Sequence, residues 1–320
     1  MEQVGTAFQR EAILMADYRF ALEKGGLKYA CPQCGKMRLV RYVDSSTGEQ
    51  VADHVGRCDR EDSCGYHLTP KEHFQLSGDN PFSTAKPARR QPAPPQPPSF
   101  IDAALLRRSL AGYDQNHFCL WLCDVFGEQR AFELTERYRV GTSKHWAGAS
   151  VFWQIDRNEQ IRGGKIMLYN AETGRRVKEP FNHVNWVHCV LKIEPYHLQQ
   201  CLFGEHLLSL ETMKPVAIVE SEKTAIIASG FLPEFVWLAT AGKGNLNKEK
   251  LKVVNGRRVT LFPDLGAFDK WQSISAGMPN VTVSDLLERR ATAADRAAGL
   301  DLADFLLREE NKADQHFKQP

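Results

Sequence analysis

Apolar residues in the second half of the chain gather in short β-rich runs at 216–219, 235–239, 258–262 and 281–283, each followed by a stretch with helical spacing. Strands alternating with helices predict a parallel sheet with helices packed against it. Upstream the pattern changes. Residues 150–156 and 161–169 read as two strands about a turn at Arg157 and Asn158, and a second turn over 172–174 precedes a short run at 175–177, so antiparallel sheet is expected there. Nearer the start, residues 37–43 alternate as a strand, 44–48 read as a turn, and Phe8, Ile13, Met15 and Phe20 mark a helix over 6–22.

The sharpest break is the segment 77–99, where seven prolines (Pro81, Pro87, Pro92, Pro94, Pro95, Pro97 and Pro98) sit among Ala, Gln and Ser. Fixed φ angles and missing N–H donors favour extended chain, so this segment reads as a tether. Four regions are expected: 1–76, an N-terminal helix and a cysteine-bearing module; 77–99, the linker; 100–214, an antiparallel lobe; and 215–320, an α/β lobe. With 320 residues, 42% hydrophobic and 25% charged, and a mean hydropathy of −0.40, the chain is globular rather than disordered throughout. Its greasiest runs, 216–219 and 225–228, are cut by Glu220 and Ser229, far short of the roughly 18 residues that cross a bilayer. Glu2, Arg10, Glu11 and Asp17 interrupt the first apolar pattern, so a secretory leader is not expected and the cytoplasm is. Forty-one Lys and Arg against thirty-nine Asp and Glu leave +2, which argues neither for nor against a polyanionic partner.

Four of the eight cysteines fall at tight spacings: Cys31 and Cys34 before Gly35, then Cys58 and Cys64 before Gly65. Four thiolates on two glycine-relieved turns suit a tetrahedral zinc ion, and with the strand between them they predict a zinc ribbon with a structural metal. The wider second spacing leaves His67, and less so His54, as a substitute ligand or as an ordinary surface histidine. Arg38, Arg41, Tyr42, Arg57 and Arg60 place cations and an aromatic on or beside the ribbon strands, as nucleic-acid binding requires, or as a solvated face balanced by Asp59, Glu61 and Asp62 would also show. Cys119, Cys123, Cys189 and Cys201 lie among apolar neighbours and read as small hydrophobes.

The strand at 216–219 runs directly into Glu220, followed by Ser221-Glu222-Lys223 opening a helix; two strands later, residues 259–263 deliver Asp264. Both acids are expected at the carboxyl edge of a parallel sheet, where such sheets bind ligands. Carboxylates gathered there call for a cation, and Mg²⁺ held by one or two of them plus phosphate oxygens fits. Between them, Thr240-Ala-Gly-Lys243-Gly offers a cation and exposed amides to a phosphate. Asp301 and Asp304 read as the cap and first turn of a last helix.

The segment around Glu220, Glu222 and Lys223, the loop with Lys243, and the strand ending in Asp264 resemble, in order and spacing, the Toprim domain of primases, topoisomerases and related nucleases. With the ribbon upstream, the whole layout is similar to zinc-ribbon Toprim proteins of bacterial mobile elements. The resemblance implies a fold of Toprim-like parallel sheet with flanking helices, an antiparallel α+β lobe and a small zinc ribbon. It implies primer synthesis on single-stranded DNA from nucleotides, in mobile-element replication and beside a replicative helicase, using zinc and Mg²⁺ or Mn²⁺. On it, Glu220 and Asp264 are the catalytic and Mg²⁺-binding acids, Glu222 and Asp269 auxiliaries, and Lys223, Lys243, Arg162 and Lys165 contacts to phosphate or nucleic acid; in some relatives an acid near Asp301 and Asp304 also serves. One departure stands out: Toprim domains carry Asp-x-Asp, and here Gly266 stands in place of the second acid, with Asp269 the nearest replacement. A non-catalytic nucleic-acid-binding accessory protein is therefore a second reading. A Toprim nuclease is a third, with no context marking Tyr169 or Tyr196 as its nucleophile.

Overall fold

The computed structural model describes residues 19–23, 27–60, 64–77, 96–242 and 244–317, with side chains described to residue 309. It divides into two compact units, Met1–Ala93 and Pro94–Pro320; most of the proline-rich segment lies outside the described residues.

The first unit is an antiparallel sheet of β1 (Phe20–Leu22), β2 (Tyr29–Ala30), β3 (Met37–Asp44), β4 (Gly56–Cys58) and β5 (His67–Leu68), followed by helix α1 (Pro70–Ser77). The order is β1-β3-β4-β5, with β2 also paired to β3. The helix expected over 6–22 is corrected at its end: Phe20 pairs with Asp44 and Leu22 with Tyr42. At these three residues the edge of a long neighbouring strand outweighs the helix signal, because strand pairing satisfies their backbone groups and packs their side chains. The remainder of that expected helix lies outside the described residues.

The second unit opens with helices α2 (Ala103–Ser109), α3 (His117–Phe126) and α4 (Glu128–Arg137). Strands β6 (Gly141–Ser143), β7 (Ala149–Ile155), β8 (Ile161–Met167) and β9 (Val184–Trp186) then form an antiparallel sheet in chain order. Short helices α5 (Val187–Val190) and α6 (Leu207–Leu210) lead to β10 (Val216–Val219), α7 (Glu222–Phe231), β11 (Val236–Ala239), α8 (Lys248–Leu251), β12 (Val259–Leu261), α9 (Phe268–Ser275) and β13 (Val281–Val283). These four strands are all parallel, in the order β11-β10-β12-β13. Helices α10 (Leu286–Arg290), α11 (Ala293–Ala298) and α12 (Leu302–Phe317) complete the unit. The fold is thus mixed α/β, with a parallel sheet, an antiparallel sheet and a ribbon.

Continuous apolar sequence in β10 and β11 follows from burial on both faces of a covered parallel sheet. The change of pattern near Lys214 is a change of sheet and not of core. Phe118, Tyr138 and Phe152 from the antiparallel half share one apolar cluster with Val219, Trp237 and Leu261 from the parallel half. A smaller cluster with Ile101, Leu106, Val151, Trp153 and Ile166 covers the other face of the antiparallel sheet, which is why β7 is buried along its whole length.

Tyr138 ties the halves with a directed bond, its hydroxyl donating to the Trp237 carbonyl at 3.0 Å inside the shared core. Replacing Tyr138 with Phe keeps the ring and leaves that oxygen without its donor, so stability should fall by about 1 kcal/mol in chemical denaturation. An unchanged midpoint would mean the bond contributes nothing net.

His206 predicts an acid sensitivity. It is almost wholly buried; Nε2 meets the Arg137 carbonyl at 3.1 Å, and Nδ1 has no acceptor among the described residues. Burial pushes its pKa down to about 4, with the arginines nearby opposed by the Arg137 carbonyl and Glu159. The unfolded chain protonates near 6.5 and the folded chain only near 4, so stability is complete above 6.5 and lost as pH falls between the two. The loss should approach 3 kcal/mol, at about 1.4 kcal/mol per pH unit. His206→Gln should flatten the thermal midpoint between pH 6.5 and 4; an equal acid slope in the variant would assign the effect elsewhere.

Candidate functional site

The cysteine site is built by two turns. The N–H of Gly35 donates to the Cys31 carbonyl at 2.8 Å, and that of Cys64 to the Arg60 carbonyl at 2.6 Å; Gly35 and Gly65 both take the left-handed conformation, at φ of 66° and 72°, which a side chain resists. The turns bring the sulfurs of Cys31, Cys34, Cys58 and Cys64 within 4.8 Å of one another, with Cys31 and Cys64 3.7 Å apart. Tetrahedral Zn–S bonds of about 2.3 Å place sulfurs about 3.8 Å apart, so the donor set and its spacing fit structural zinc. Electrostatics agree. Burial pushes the Cys64 thiol up to about 12, with the neighbouring sulfurs adding to it. At Cys31, burial is outweighed by the amides of Cys34 and Gln33 and by the thiols of Cys64 and Cys34, which bring it down to about 7. Four thiolates in so small a volume need a divalent cation to ionise together.

His67 is not needed among these ligands. It stands on β5, where Nε2 meets the Tyr42 hydroxyl at 3.0 Å and the two rings stack. His54 instead packs edge-on against His73. Of the ribbon's cations, Arg41 lies 3.9 Å over the Tyr29 ring and bonds Asp53 and Gln50, whereas Arg38 and Arg57 stand exposed.

The acidic site lies at the carboxyl ends of β10 and β12. Val216 pairs with Val259 and Ile218 with Leu261, and the Phe262 N–H continues to the Ile218 carbonyl at 2.8 Å. This register carries Glu220 level with Pro263 and one residue from Asp264, on chains about 5 Å apart. Glu220 is 4% exposed and its backbone carbonyl holds the next loop: the Gly242 N–H donates to it at 3.1 Å and the Thr240 hydroxyl at 3.3 Å. Ser221 caps α7 by accepting the Thr224 N–H at 3.1 Å, and this sets Glu222 as the first residue of the helix.

Lys165 comes to this edge from the antiparallel sheet, where β8 pairs it with Phe152 and Trp186. Its ammonium lies 3.2 Å from each Glu222 oxygen and donates to the Ala241 carbonyl at 3.1 Å. Ala241 takes φ of 64°, a conformation that costs a non-glycine residue about 1 kcal/mol or more. A strained backbone, a buried carboxylate and a lysine from the other sheet therefore meet beside Glu220.

The other expected residues have partners of their own or lie in different elements. Lys223 bonds the Gly174 carbonyl at 2.6 Å and sits 4.3 Å over the Trp121 ring; burial pushes its pKa down against the pull of Asp301 and Asp304. Arg162 donates to Asp156 at 2.7 Å and to Gln199 at 3.3 Å, with its guanidinium over Phe100. Asp269 is exposed in the first turn of α9. Lys243 lies outside the described residues. Gly266, where the second acid of the resemblance would stand, donates its N–H to Glu288 at 2.7 Å, a carboxylate held low by Arg296 and by this amide. Asp301 and Asp304 cap α12 reciprocally, each accepting the other's N–H at 3.1 Å, and Asp301 also accepts the Thr224 hydroxyl at 2.7 Å.

Sequence reading missed Lys250. In the stretch Lys248-Glu249-Lys250 it looks like one of a run of solvated charges, yet burial lowers its pKa against the fields of Cys201, Glu205 and Glu222. It lines a 410 Å³ cavity with Leu198, Gln200, Asn245 and Asn247.

Residues 116–265 match the family described as Domain of unknown function (DUF6371), and residues 18–79 match a zinc beta-ribbon finger family. No curated protein matches the chain. Among solved structures, the RNA polymerase domain of Mycobacterium tuberculosis primase DnaG is similar at 12% identity and TM-score 0.38, over 62% of this chain and 80% of that one. The primase fragment of the bacteriophage T7 primase-helicase is similar at 13% identity and TM-score 0.33, over 80% and 88%. The E. coli primase catalytic core is similar at 13% identity and TM-score 0.37, over 64% and 81%. No described helix is long and apolar enough to cross a membrane.

Proposed function

We propose that the chain is a primase-like, nucleic-acid-binding protein that synthesises primers on single-stranded DNA during mobile-element replication. One observation carries this reading: Glu220 and Asp264 leave adjacent parallel strands in near register, beside the Glu222–Lys165 pair that joins both sheets. Two carboxylates offering only oxygen suit Mg²⁺ or Mn²⁺, which bind through one or two carboxylates together with substrate phosphates. Such an ion, when bound, stabilises charge on a transferring phosphoryl group.

In the proposed reaction a primer 3′-hydroxyl attacks the α-phosphorus of an incoming nucleoside triphosphate. The new P–O bond forms as the bond to pyrophosphate breaks, and the hydroxyl proton leaves to base. Glu220 serves as that base or as a metal-holding acid, and Asp264 as a metal ligand. Glu222 fixes Lys165 at the phosphate side, while Asp269 is an auxiliary acid. Lys223, Lys243 and Arg162 are proposed phosphate contacts, which for Lys223 requires exchanging its bond to Gly174. The test is template-dependent primer formation on single-stranded DNA with nucleotides and Mg²⁺ or Mn²⁺; the expected product is absent without the metal.

A second reading is favoured by Gly266, whose amide is taken by Glu288 where a further acid would be needed. On it, the protein binds single-stranded DNA without catalysing. Tight binding that survives chelation, with no product under any nucleotide condition, would establish that reading in place of the first.

A further inference from the structure

The antiparallel sheet ends in a cluster of rings that the acidic site does not use. His145 and Trp146, on the connection from β6 to β7, have ring centroids 4.3 Å apart. Across from them, Phe181 and His183 stack at 4.3 Å with planes 24° apart, just before β9. Trp146 meets the His183 ring edge-on at 5.1 Å and lies 6.5 Å from Phe181. Phe181 is 54% exposed and His145 is also exposed. Trp146 and His183 are half-buried and Trp146 packs against the apolar cluster of the antiparallel sheet, so they hold the exposed Phe181 ring in a preorganised apolar platform.

Cations border it. Lys144 precedes His145 and is exposed. The His183 N–H donates to the Val177 carbonyl at 3.3 Å, and the Val177 N–H to the Leu168 carbonyl at 3.0 Å, so exposed Lys178 follows immediately beside the rings. On the other side of Val177, Arg176 bridges to Tyr169, and the fields of Arg175 and Arg176 act on Lys223, at the start of α7. The β8–β9 connection thus carries three exposed cations, Arg175, Arg176 and Lys178, against two exposed acids, Glu172 and Glu179, and Lys144 adds a fourth cation from the β6–β7 connection. The row therefore leads from the rings toward the helix that follows Glu220. The β8–β9 register says the same: Val184 pairs with Met167 and Trp186 with Lys165, so the rings lie roughly 10 Å along the strands from Lys165.

The geometry points to a base-stacking platform for single-stranded nucleic acid, formed by Trp146, Phe181 and His183, with phosphates tracked by Lys144, Lys178 and Arg176 toward the acidic edge. The inference rests on the nucleic-acid reading above but not on the metal chemistry. Unpaired bases present free faces to aromatic rings, whereas a duplex keeps them stacked internally. The positive border selects a polyanion over an apolar protein partner.

The test uses the full chain and a labelled oligothymidylate, followed by fluorescence anisotropy. Phe181→Ala should weaken binding about tenfold, the scale of losing one stacked base. Lys144→Glu with Lys178→Glu should weaken it and lower its salt dependence. Trp146→Phe, which keeps a ring face, should bind nearly as well as the unaltered chain. A duplex of the same length should bind more weakly and ignore Phe181→Ala. Oligothymidylate binding unchanged by Phe181→Ala and by the double lysine variant would overturn the proposal. So would self-association in sedimentation that Phe181→Ala abolishes, since the rings would then serve a second copy. A binding loss from Phe181→Ala that persists in a Glu220→Gln background supports the platform even where primer synthesis fails. Primer synthesis that needs Glu220, with binding indifferent to Phe181, removes the platform alone.

Discussion

Cys58→Ser should unfold the ribbon while leaving the second unit's own thermal transition in place. Among the described residues, the first unit's apolar cluster has Cys31, Leu39 and Cys58 fully buried, with Tyr29, Cys34, Cys64 and Tyr66 packed around them, and Val55 is buried outside it. Two of that cluster's three buried residues are themselves sulfur donors, so little of the cluster remains once the sulfurs stop acting together. A domain this small seldom holds itself with apolar contacts. Structural zinc in comparable modules supplies about 10–16 kcal/mol of apparent binding free energy, which is folding free energy when the unfolded chain has no site. The second unit's cluster around Phe118 and Trp237 contains none of the four ribbon cysteines. Metal content should fall from one zinc per chain to near none, protease should cut within 27–77, and a strong chelator should reproduce both effects in the unaltered chain. An unaltered chain that purifies without zinc, and whose ribbon resists protease all the same, would end the metal assignment.

Glu220→Gln and Asp264→Asn should each cut primer synthesis by at least about a thousandfold, since a carboxylate that holds a divalent ion or takes a proton is worth several kcal/mol at the transition state. Each variant keeps the size and shape of the side chain and removes its charge. Glu220 lies at the end of a four-residue strand buried throughout, and its backbone carbonyl, not its side chain, anchors Thr240 and Gly242, so the amide should fold normally by circular dichroism. Asp269→Asn is the informative companion. Its side chain is exposed on α9, and a loss smaller than that of Asp264→Asn would rank it as an auxiliary. Undiminished synthesis in both Glu220→Gln and Asp264→Asn would remove the catalytic reading and leave binding alone.

Sequence by itself determined what short-range physics governs. The four parallel strands could be read because each is a short run rich in β-branched or apolar residues, and β10 and β11, buried at every position, are apolar throughout. The cysteine cluster was legible because two glycine-relieved turns leave four thiols little choice of geometry. The caps of Asp301 and Asp304 were legible for a similar reason, since a cap is satisfied within three residues. Tertiary structure decided the rest. Lys165 and Glu222 stand fifty-seven positions apart, and their pairing depends on two sheets sharing one core. Lys250 has the same polar neighbours in sequence as any solvated lysine, and only packing half-buries it. Phe20 to Leu22 carries a helical pattern and became a strand because β3 offered an edge. Lys223 has a phosphate-binding context in sequence, and the fold gives its ammonium to a carbonyl and an aromatic face. Local patterns record propensity and turn chemistry. Which charges meet is set by chain closure over long separations, and hydrophobic periodicity carries no record of that.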